Sequence, residues 1–301
     1  MQAAQLVADN VELVSLPEVC LRMQALADDP HVTADQLGQV LSQDPALTAR
    51  LLKLVNSPYY GLAARVDTAS RAVSVAGMEA LRNLALAASA VEVFNRVPAE
   101  LMDMVTFWKH SVFSGLLARK LAERCRVLHS ERLFITGLLH DVGRLLIYAR
   151  MPEAAAEVLR RADSGGVPVC ELEQQVLGFD HAEVGQALLA QWQLPANLQE
   201  AVAFHHAPSA ATVAPLEAAL VHIANAVTHQ IDASGEVDDA YYNPYGALLE
   251  VDGAAALESI TGVDAAAWKT TRLSPAAVRA AVTGAAESFD QVLDVIYPLP
   301  Y

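Results

Sequence analysis

The sequence predicts an all-α protein, and three observations carry that expectation. Alanine and leucine dominate while isoleucine and aromatic residues are sparse, a composition that favours helix over sheet. Apolar residues recur at helical spacing, as in Leu47, Leu51, Leu54 and Val55, which stack into one inward stripe. Proline, glycine and short polar capping residues cut the chain into segments of about ten residues, an ordinary helix length.

Taken in order, Pro17 opens a first helix whose Val19, Leu21, Met23 and Leu26 fall partly on one face. Thr33 with Gln36 forms a capping box, and Asp44-Pro45 pairs an N-cap with a proline at the first helical position. Helices are therefore expected to start near residues 17, 34 and 45. The third ends at Asn56-Ser57-Pro58, and residues 71–94 read as two helices split at Gly77, with Pro98 as a boundary. Residues 101–126 form a long amphipathic helix containing His110, and residues 130–149 the next, containing His140-Asp141. Asp180 with Glu183 is a further capping pair that puts His181 in a first helical turn. Pro195 opens the helix that delivers His205-His206, and residues 216–230 carry His222, Asn225 and His229. Residues 231–252 are acidic and turn-rich and read as a loop before a final helical region. The expected division is an N-terminal helical subdomain at 1–97, a subdomain with the His/Asp cluster at 98–230, and an acidic loop with C-terminal helices at 231–301.

The chain has 301 residues, 53% of them apolar, enough to bury a sizeable core. A formal charge of −15 opposes docking on nucleic-acid phosphates or anionic lipid, since both need clustered Lys and Arg. The expected partner is a protein or a small molecule, with neither nucleic acid nor membrane. Cys20, Cys125 and Cys170 form no CxxC pair and read as small buried hydrophobes in a reducing compartment. The first residues lack a basic flank followed by an apolar core, and no eighteen apolar residues run together, so a soluble cytoplasmic protein is expected. Phosphate-binding glycine loops and the GxSxG elbow are absent, which argues against nucleotide-triphosphate chemistry and serine hydrolysis.

The run GLLHDVGR at residues 137–144 sets His140 beside Asp141 in apolar surroundings. A buried carboxylate costs several kcal/mol unless a cation or a dense hydrogen-bond network meets it. His110, His181 and the doublet His205-His206 stand at intervals that could supply the ligands of such a cation. Phosphoester hydrolysis by a divalent ion needs several neutral imidazoles, at least one carboxylate and an open position for water. The two oxygens of Asp141 suit it to bridge two ions. Adjacent histidines on a regular helix point about 100° apart, so His205 and His206 share a cluster only near a helix end, which Ala207-Pro208 provides. His222 and His229, seven residues apart, read as satisfied core residues or a solvated stripe, and His31 and His129 as turn residues.

The strings LPEVCLRMQALADDP, LSQDPALTARLLKLVNSPYYG and RAVSVAGMEALRNLALA, together with the His/Asp constellation, resemble the HDOD domain over about residues 12 to 230. That family is a bacterial signalling-output relative of the HD phosphohydrolases. The resemblance implies an N-terminal helical bundle packed on an HD-like bundle, and signalling partners such as receiver or cyclic-dinucleotide domains. Many members have lost their metal-binding residues. Set beside the HD-GYP branch, His110 resembles the first ligand, His140 and Asp141 the HD pair, and His181 the histidine that follows. His205 and His206 resemble that branch's paired ligands, Asn225 occupies the position of its closing aspartate, and Arg144 replaces a lysine found near the substrate phosphate. The resemblance thus implies one or two divalent ions, Fe, Mn, Ni or Mg, with Asp141 and Arg144 in catalytic roles. Three departures argue against a typical cyclic di-GMP phosphodiesterase: Asn225 brings no charge, APSAATVAP after the doublet lacks the GYP signature, and Thr106 stands where some relatives place a Glu ligand. The expected function is a signal-transduction output or scaffold module with a metal-binding His/Asp cluster. The alternative is a metal-dependent phosphohydrolase acting on a nucleotide or other phosphoester, and a third reading is a cleft that binds a nucleotide without cleaving it.

Overall fold

The computed structural model describes residues 2–10, 16–27, 31–57, 59–62, 64–94, 97–234, 245 and 259–298. These are helical with no strand among the described residues, as the composition predicts. In chain order the helices are α1 (Ala3–Ala8), α2 (Glu18–Ala27), α3 (Ala34–Leu41), α4 (Pro45–Val55), α5 (Ala69–Ala76) and α6 (Met78–Val93). Then follow α7 (Met104–Arg124), α8 (Glu131–Leu139), α9 (Val142–Arg150), α10 (Pro152–Asp163), α11 (Val169–Leu177), α12 (His181–Gln191) and α13 (Ala196–Ala203). The last are α14 (Pro215–Ser234), α15 (Ala265–Thr271) and α16 (Pro275–Ile296). Two compact units result, one of Ser15–Val93 with Glu287–Tyr301, the other of Met1–Val14 with Phe94–Ala286.

In the first unit local chemistry sets the helix starts. The Thr33 hydroxyl accepts from Gln36 N at 3.2 Å while Gln36 Oε1 accepts from Thr33 N at 2.8 Å, a reciprocal cap for α3. Asp44 accepts from Leu47 N at 2.9 Å ahead of Pro45, which starts α4. Leu47, Leu51, Leu54 and Val55 are all buried, each worth roughly 1.5–3 kcal/mol relative to exposure. Gly77 takes φ +89° at the corner between α5 and α6, a conformation that costs glycine least. The inward side of α2 differs from the expected set. Cys20 and Met23 are buried, whereas Leu21 stands 52% exposed, because the three-residue spacing of the former pair faces α6.

The second unit carries the histidines. Its α7 and α8 approach closely through Gly115 and Gly137, where a Cβ on Gly137 would lie 2.7 Å from Gly115 Cα. Residues 130–149 are two helices rather than one, interrupted at His140 and Asp141. Asp141 adopts φ −100°, ψ 3°, the kind of residue that favours a helix start over a helix interior. Its carboxylate makes no capping bond to α9 and is left for other partners. At α12 the Asp180–Glu183 capping box is present, with His181 as the first helical residue. The helix of His222, Asn225 and His229 extends to Ser234, past the expected loop start at residue 231. The remainder of that expected loop, apart from Tyr245, lies outside the described residues. The start of α14 is held by the Glu200 carboxylate, which accepts from the N–H groups of Thr212, Val213 and Ala214. The final helical region is present as α15 and α16.

Cys20 is buried as expected, but Cys125 and Cys170 are only half-buried. No helix among the described residues is long and apolar enough to cross a membrane.

Candidate metal centre

Four helix ends and one helix interior deliver side chains to a common point in the second unit. His140 and Asp141 come from the break between α8 and α9, His181 from the start of α12, His205 and His206 from the turn after α13, and His110 from within α7. A helix end turns successive side chains away from the 100° spread of a regular helix, and this is how the two adjacent pairs each converge.

The Oδ1 atom of Asp141 lies 3.1 Å from His181 Nε2, 3.5 Å from His140 Nε2 and 3.6 Å from His205 Nε2. His206 Nε2 is 2.8 Å from His181 Nε2. Four of the five imidazoles, all but His206, are oriented from behind. His140 Nδ1 donates to Gly137 O and His205 Nδ1 to Val202 O, both at 2.6 Å. His181 Nδ1 meets Glu173 Oε2 at 2.5 Å, and His110 Nδ1 meets Asp232 Oδ2 at 2.7 Å. Because a carbonyl oxygen only accepts, the Nδ1 atoms of His140 and His205 carry the proton and their Nε2 lone pairs face the centre. Holding the remote nitrogen in this way is how proteins orient metal-ligating histidines.

The donor set fits a divalent cation on a direct observation. His140 Nε2 and His205 Nε2 are buried with no hydrogen-bond partner, and the equally buried Asp141 Oδ1 that they face meets the His181 ring at 3.1 Å without a well-aligned hydrogen bond. Buried polar atoms are almost always satisfied, so two unpartnered ring nitrogens aimed at one carboxylate oxygen mark a place built for something that accepts their lone pairs. Two groups of candidate ligands emerge, Asp141 with His181, His205 and His206, and Asp141 with His110 and His140. Asp141 belongs to both.

The charges match. Burial, with help from His205 and His110 against the pull of Asp141, drives the His140 imidazole down to about 3, so it is neutral. Burial and the neighbouring His205 and His181 likewise push His206 far down. Burial alone would raise Asp141, but His140, His181 and Arg144 hold it well below the usual carboxylate range. His181 is the exception: against burial, Glu173 and Asp141 raise it to about 10. In that charged form its Nε2, 3.1 Å from Asp141 Oδ1 and 2.8 Å from His206 Nε2, points a proton into the candidate ligand group it shares with them. Arg144 reaches from α9 to Asp141 Oδ2 at 3.1 Å.

Every site residue named from the sequence therefore lies in this region. Asn225 is the most peripheral, with its Oδ1 3.0 Å from His110 Nε2. Thr106 instead donates its hydroxyl to Asp103 at the start of α7, which accounts for a threonine at that place. His222 is a satisfied residue, donating to His205 O at 2.7 Å and accepting from Asp264 N at 2.9 Å. His229 is exposed, in keeping with a solvated stripe, yet its ring lies 4.4 Å from that of His110, and His110, His229 and Asp232 form a third candidate ligand group. Sequence reasoning missed Glu173 and Asp232. The only signal for Glu173 was a carboxylate directly after the apolar Leu172 on α11, and for Asp232 its place seven residues after Asn225.

An all-helical fold with a buried His/Asp cluster collected from distant helices defines the class as an HD-like helical bundle. The HDOD domain model matches residues 13–208, and the chain belongs to the HDOD domain family. A crystal structure named "Putative phosphohydrolase" from Shewanella amazonensis SB2B is similar over 97% of this chain and 98% of its own, at 26% identity and a TM-score of 0.66. An "HDOD domain protein with unknown function" from Geobacter sulfurreducens is similar over 93% and 99%, at 26% identity and a TM-score of 0.62. A crystal structure named "Putative signal transduction protein" from Marinobacter aquaeolei VT8, at 21% identity and a TM-score of 0.68, shares the fold over 96% of this chain and 60% of its own. An uncharacterized protein of Treponema pallidum (strain Nichols) is 30% identical over 203 residues, which span 39% of that relative's length.

Proposed function

We infer that this chain is a signalling output or scaffold module whose His/Asp centre binds divalent metal, tying α7, α8–α9, α12 and the turn after α13 together. The observation that supports this reading is the convergence of unpartnered His140 Nε2 and His205 Nε2 on Asp141 Oδ1 in the interior. His110, His140, Asp141, His181, His205 and His206 are the proposed ligands, with Asn225 the weakest. Because the unfolded chain offers no preformed site, binding energy becomes folding energy. Elemental analysis of freshly purified full-length protein should find at least one stoichiometric divalent ion, and exhaustive chelation should lower the melting temperature. No ion together with an unchanged melting curve would remove the reading.

A second reading, a metal-dependent phosphohydrolase, has its own support: Asp141 is shared by both ligand groups and Arg144 stands against it. When bound, a divalent cation supplies Lewis acidity toward a phosphoester oxygen and lowers the pKa of water toward neutrality. In this reading Asp141 aligns the centre, His140 and His206 stay neutral as ligands, and Arg144 steadies a phosphate. A phosphoester and nucleotide panel with added Mn²⁺, Fe²⁺, Mg²⁺ or Ni²⁺ separates the readings. Turnover abolished by Asp141→Ala assigns the enzyme, and silence across the panel leaves the module. The signalling partners proposed for the module are receiver or cyclic-dinucleotide domains.

A further inference from the structure

One helix holds both nitrogens of His110. Asn225 and Asp232 lie seven residues apart on α14, two turns on one face, and the His110 ring fits between them. Asn225 Oδ1 lies 3.0 Å from Nε2, and Asp232 Oδ2 lies 2.7 Å from Nδ1. The second carboxylate oxygen of Asp232 accepts the Tyr245 hydroxyl. Tyr245 is buried and stacks flat on Phe113, with ring centroids 4.1 Å apart and planes 11° apart. Phe113 is on α7, one turn from His110 itself. The chain from His110 through Asp232 to Tyr245 thus closes on the helix where it begins. Both Asp232 and Tyr245 lie outside residues 13–208, the region matched to the family.

Among the histidines at the centre, His110 and His181 are backed by carboxylates, while His140 and His205 are backed by backbone carbonyls. A carboxylate behind an imidazole orients it and raises its basicity as a ligand. Asn225 offers only a neutral amide on the opposite side. With Nδ1 held by the Asp232 carboxylate, Nε2 meets only neutral groups, the Asn225 amide oxygen at 3.0 Å and the Ser114 hydroxyl at 3.4 Å, which an ion shared with His140 and Asp141 would displace.

Resting on the metal-binding reading above, we propose that Asp232, held by Tyr245, is a positioning residue that fixes His110 with Nε2 as its ligand atom and supplies through that ring the negative charge Asn225 does not bring. The segment beyond the family match thereby completes the His110 side of the centre. Tyr245 acts one step further out, by keeping the Asp232 carboxylate from rotating away.

The test titrates metal-free full-length protein with Mn²⁺ and Co²⁺ by calorimetry and follows the visible Co²⁺ spectrum. Asp232→Asn keeps the shape and removes the charge; it should weaken ion binding at the His110 side about 10- to 100-fold and shift the Co²⁺ bands. Asp232→Glu should restore part of the loss, and Tyr245→Phe should weaken binding less than Asp232→Asn. The melting temperature of the chelated Asp232→Asn protein should stay near that of the chelated wild type, which separates positioning from folding. In a His110→Ala background, Asp232→Asn should add nothing, because its action passes through the missing ring. A further loss in that background would make Asp232 a ligand in its own right and overturn the proposal. Wild-type affinity and spectrum in both Asp232→Asn and Tyr245→Phe would overturn it while leaving the metal centre intact. Wild-type protein that takes up neither ion would overturn both this inference and the reading beneath it.

Discussion

Glu173 accepts two hydrogen bonds from His181, one from its backbone N–H at 2.9 Å and one from its ring Nδ1 at 2.5 Å, and both side chains are buried. The pair fixes the first residue of α12 and its imidazole with a single carboxylate. Removing one member of a buried pair strands the other. Glu173→Ala is therefore expected to cost on the order of 3 kcal/mol in chemical denaturation and to weaken divalent-ion binding about 10- to 100-fold. Glu173→Gln, which keeps an acceptor and the shape, should cost less in both measurements.

The metal-free protein should have a stability maximum near neutral pH, for two opposed reasons. His181 is raised from 6.5 to about 10, so its contribution is fully present below about pH 6.5 and is lost as pH climbs toward 10. His140 is lowered from 6.5 to about 3, so the unfolded chain takes up a proton there that the folded chain refuses, and stability falls as pH drops from about 6.5 toward 3. Denaturation curves across the range in chelator check both limbs, and Glu173→Gln should flatten the alkaline one. A flat profile would contradict the assigned protonation states.

Ion binding should release protons, because His181 is held in its charged form by Glu173 and Asp141 and ligands must be deprotonated. Affinity should rise with pH through the neutral range. Calorimetry of Mn²⁺ binding in buffers of differing ionisation enthalpy counts the protons released, and a count of zero near pH 7 would count against His181 as a ligand.

Gly143 allows α9 to meet α12. A Cβ there would lie 2.1 Å from His181 O and 2.6 Å from Gly185 N, both backbone atoms that cannot move aside alone. Gly143→Ala should destabilise by about 1–3 kcal/mol and weaken ion binding by parting Asp141 from His181. Gly284→Ala is the control: its Cβ would meet only the Lys120 side chain at 3.6 Å, and a helix-interior alanine should be neutral or stabilising by up to about 1 kcal/mol.

The shared carboxylate makes a prediction about stoichiometry. If two ions bind, His206→Ala and His110→Ala should each remove one, since each residue belongs to only one of the two groups containing Asp141. Asp141→Asn should remove both. Elemental analysis of the three variants reads this directly, and loss of both ions in His206→Ala would contradict two separable positions.

Much of the fold was legible before any coordinates, and the reason is local chemistry. The starts of α3, α4 and α12 are announced by Thr33, Asp44 and Asp180, whose side chains bond to backbone a few residues away. The break inside residues 130–149 was not legible. Leu138, Leu139, Val142 and Leu145 continue an unbroken apolar pattern across it, and periodicity alone does not register a two-residue interruption. The buried side of α2 was misread for a similar reason, since Leu21 and Met23 are both apolar and only packing against α6 distinguishes them.

By itself the sequence determined which residues are able to ligate an ion: histidines and an aspartate in apolar surroundings, near helix ends where adjacent side chains converge. It also determined the family, through strings long enough to be specific. Only the tertiary structure decided what stands behind those ligands. Glu173 and Asp232 are ordinary helix carboxylates in one dimension, and whether such a group faces solvent or an imidazole depends on how helices from remote parts of the chain pack. That packing turned His229 from a bystander into a neighbour of His110, and set Tyr245, beyond the family match, against the aspartate that holds it.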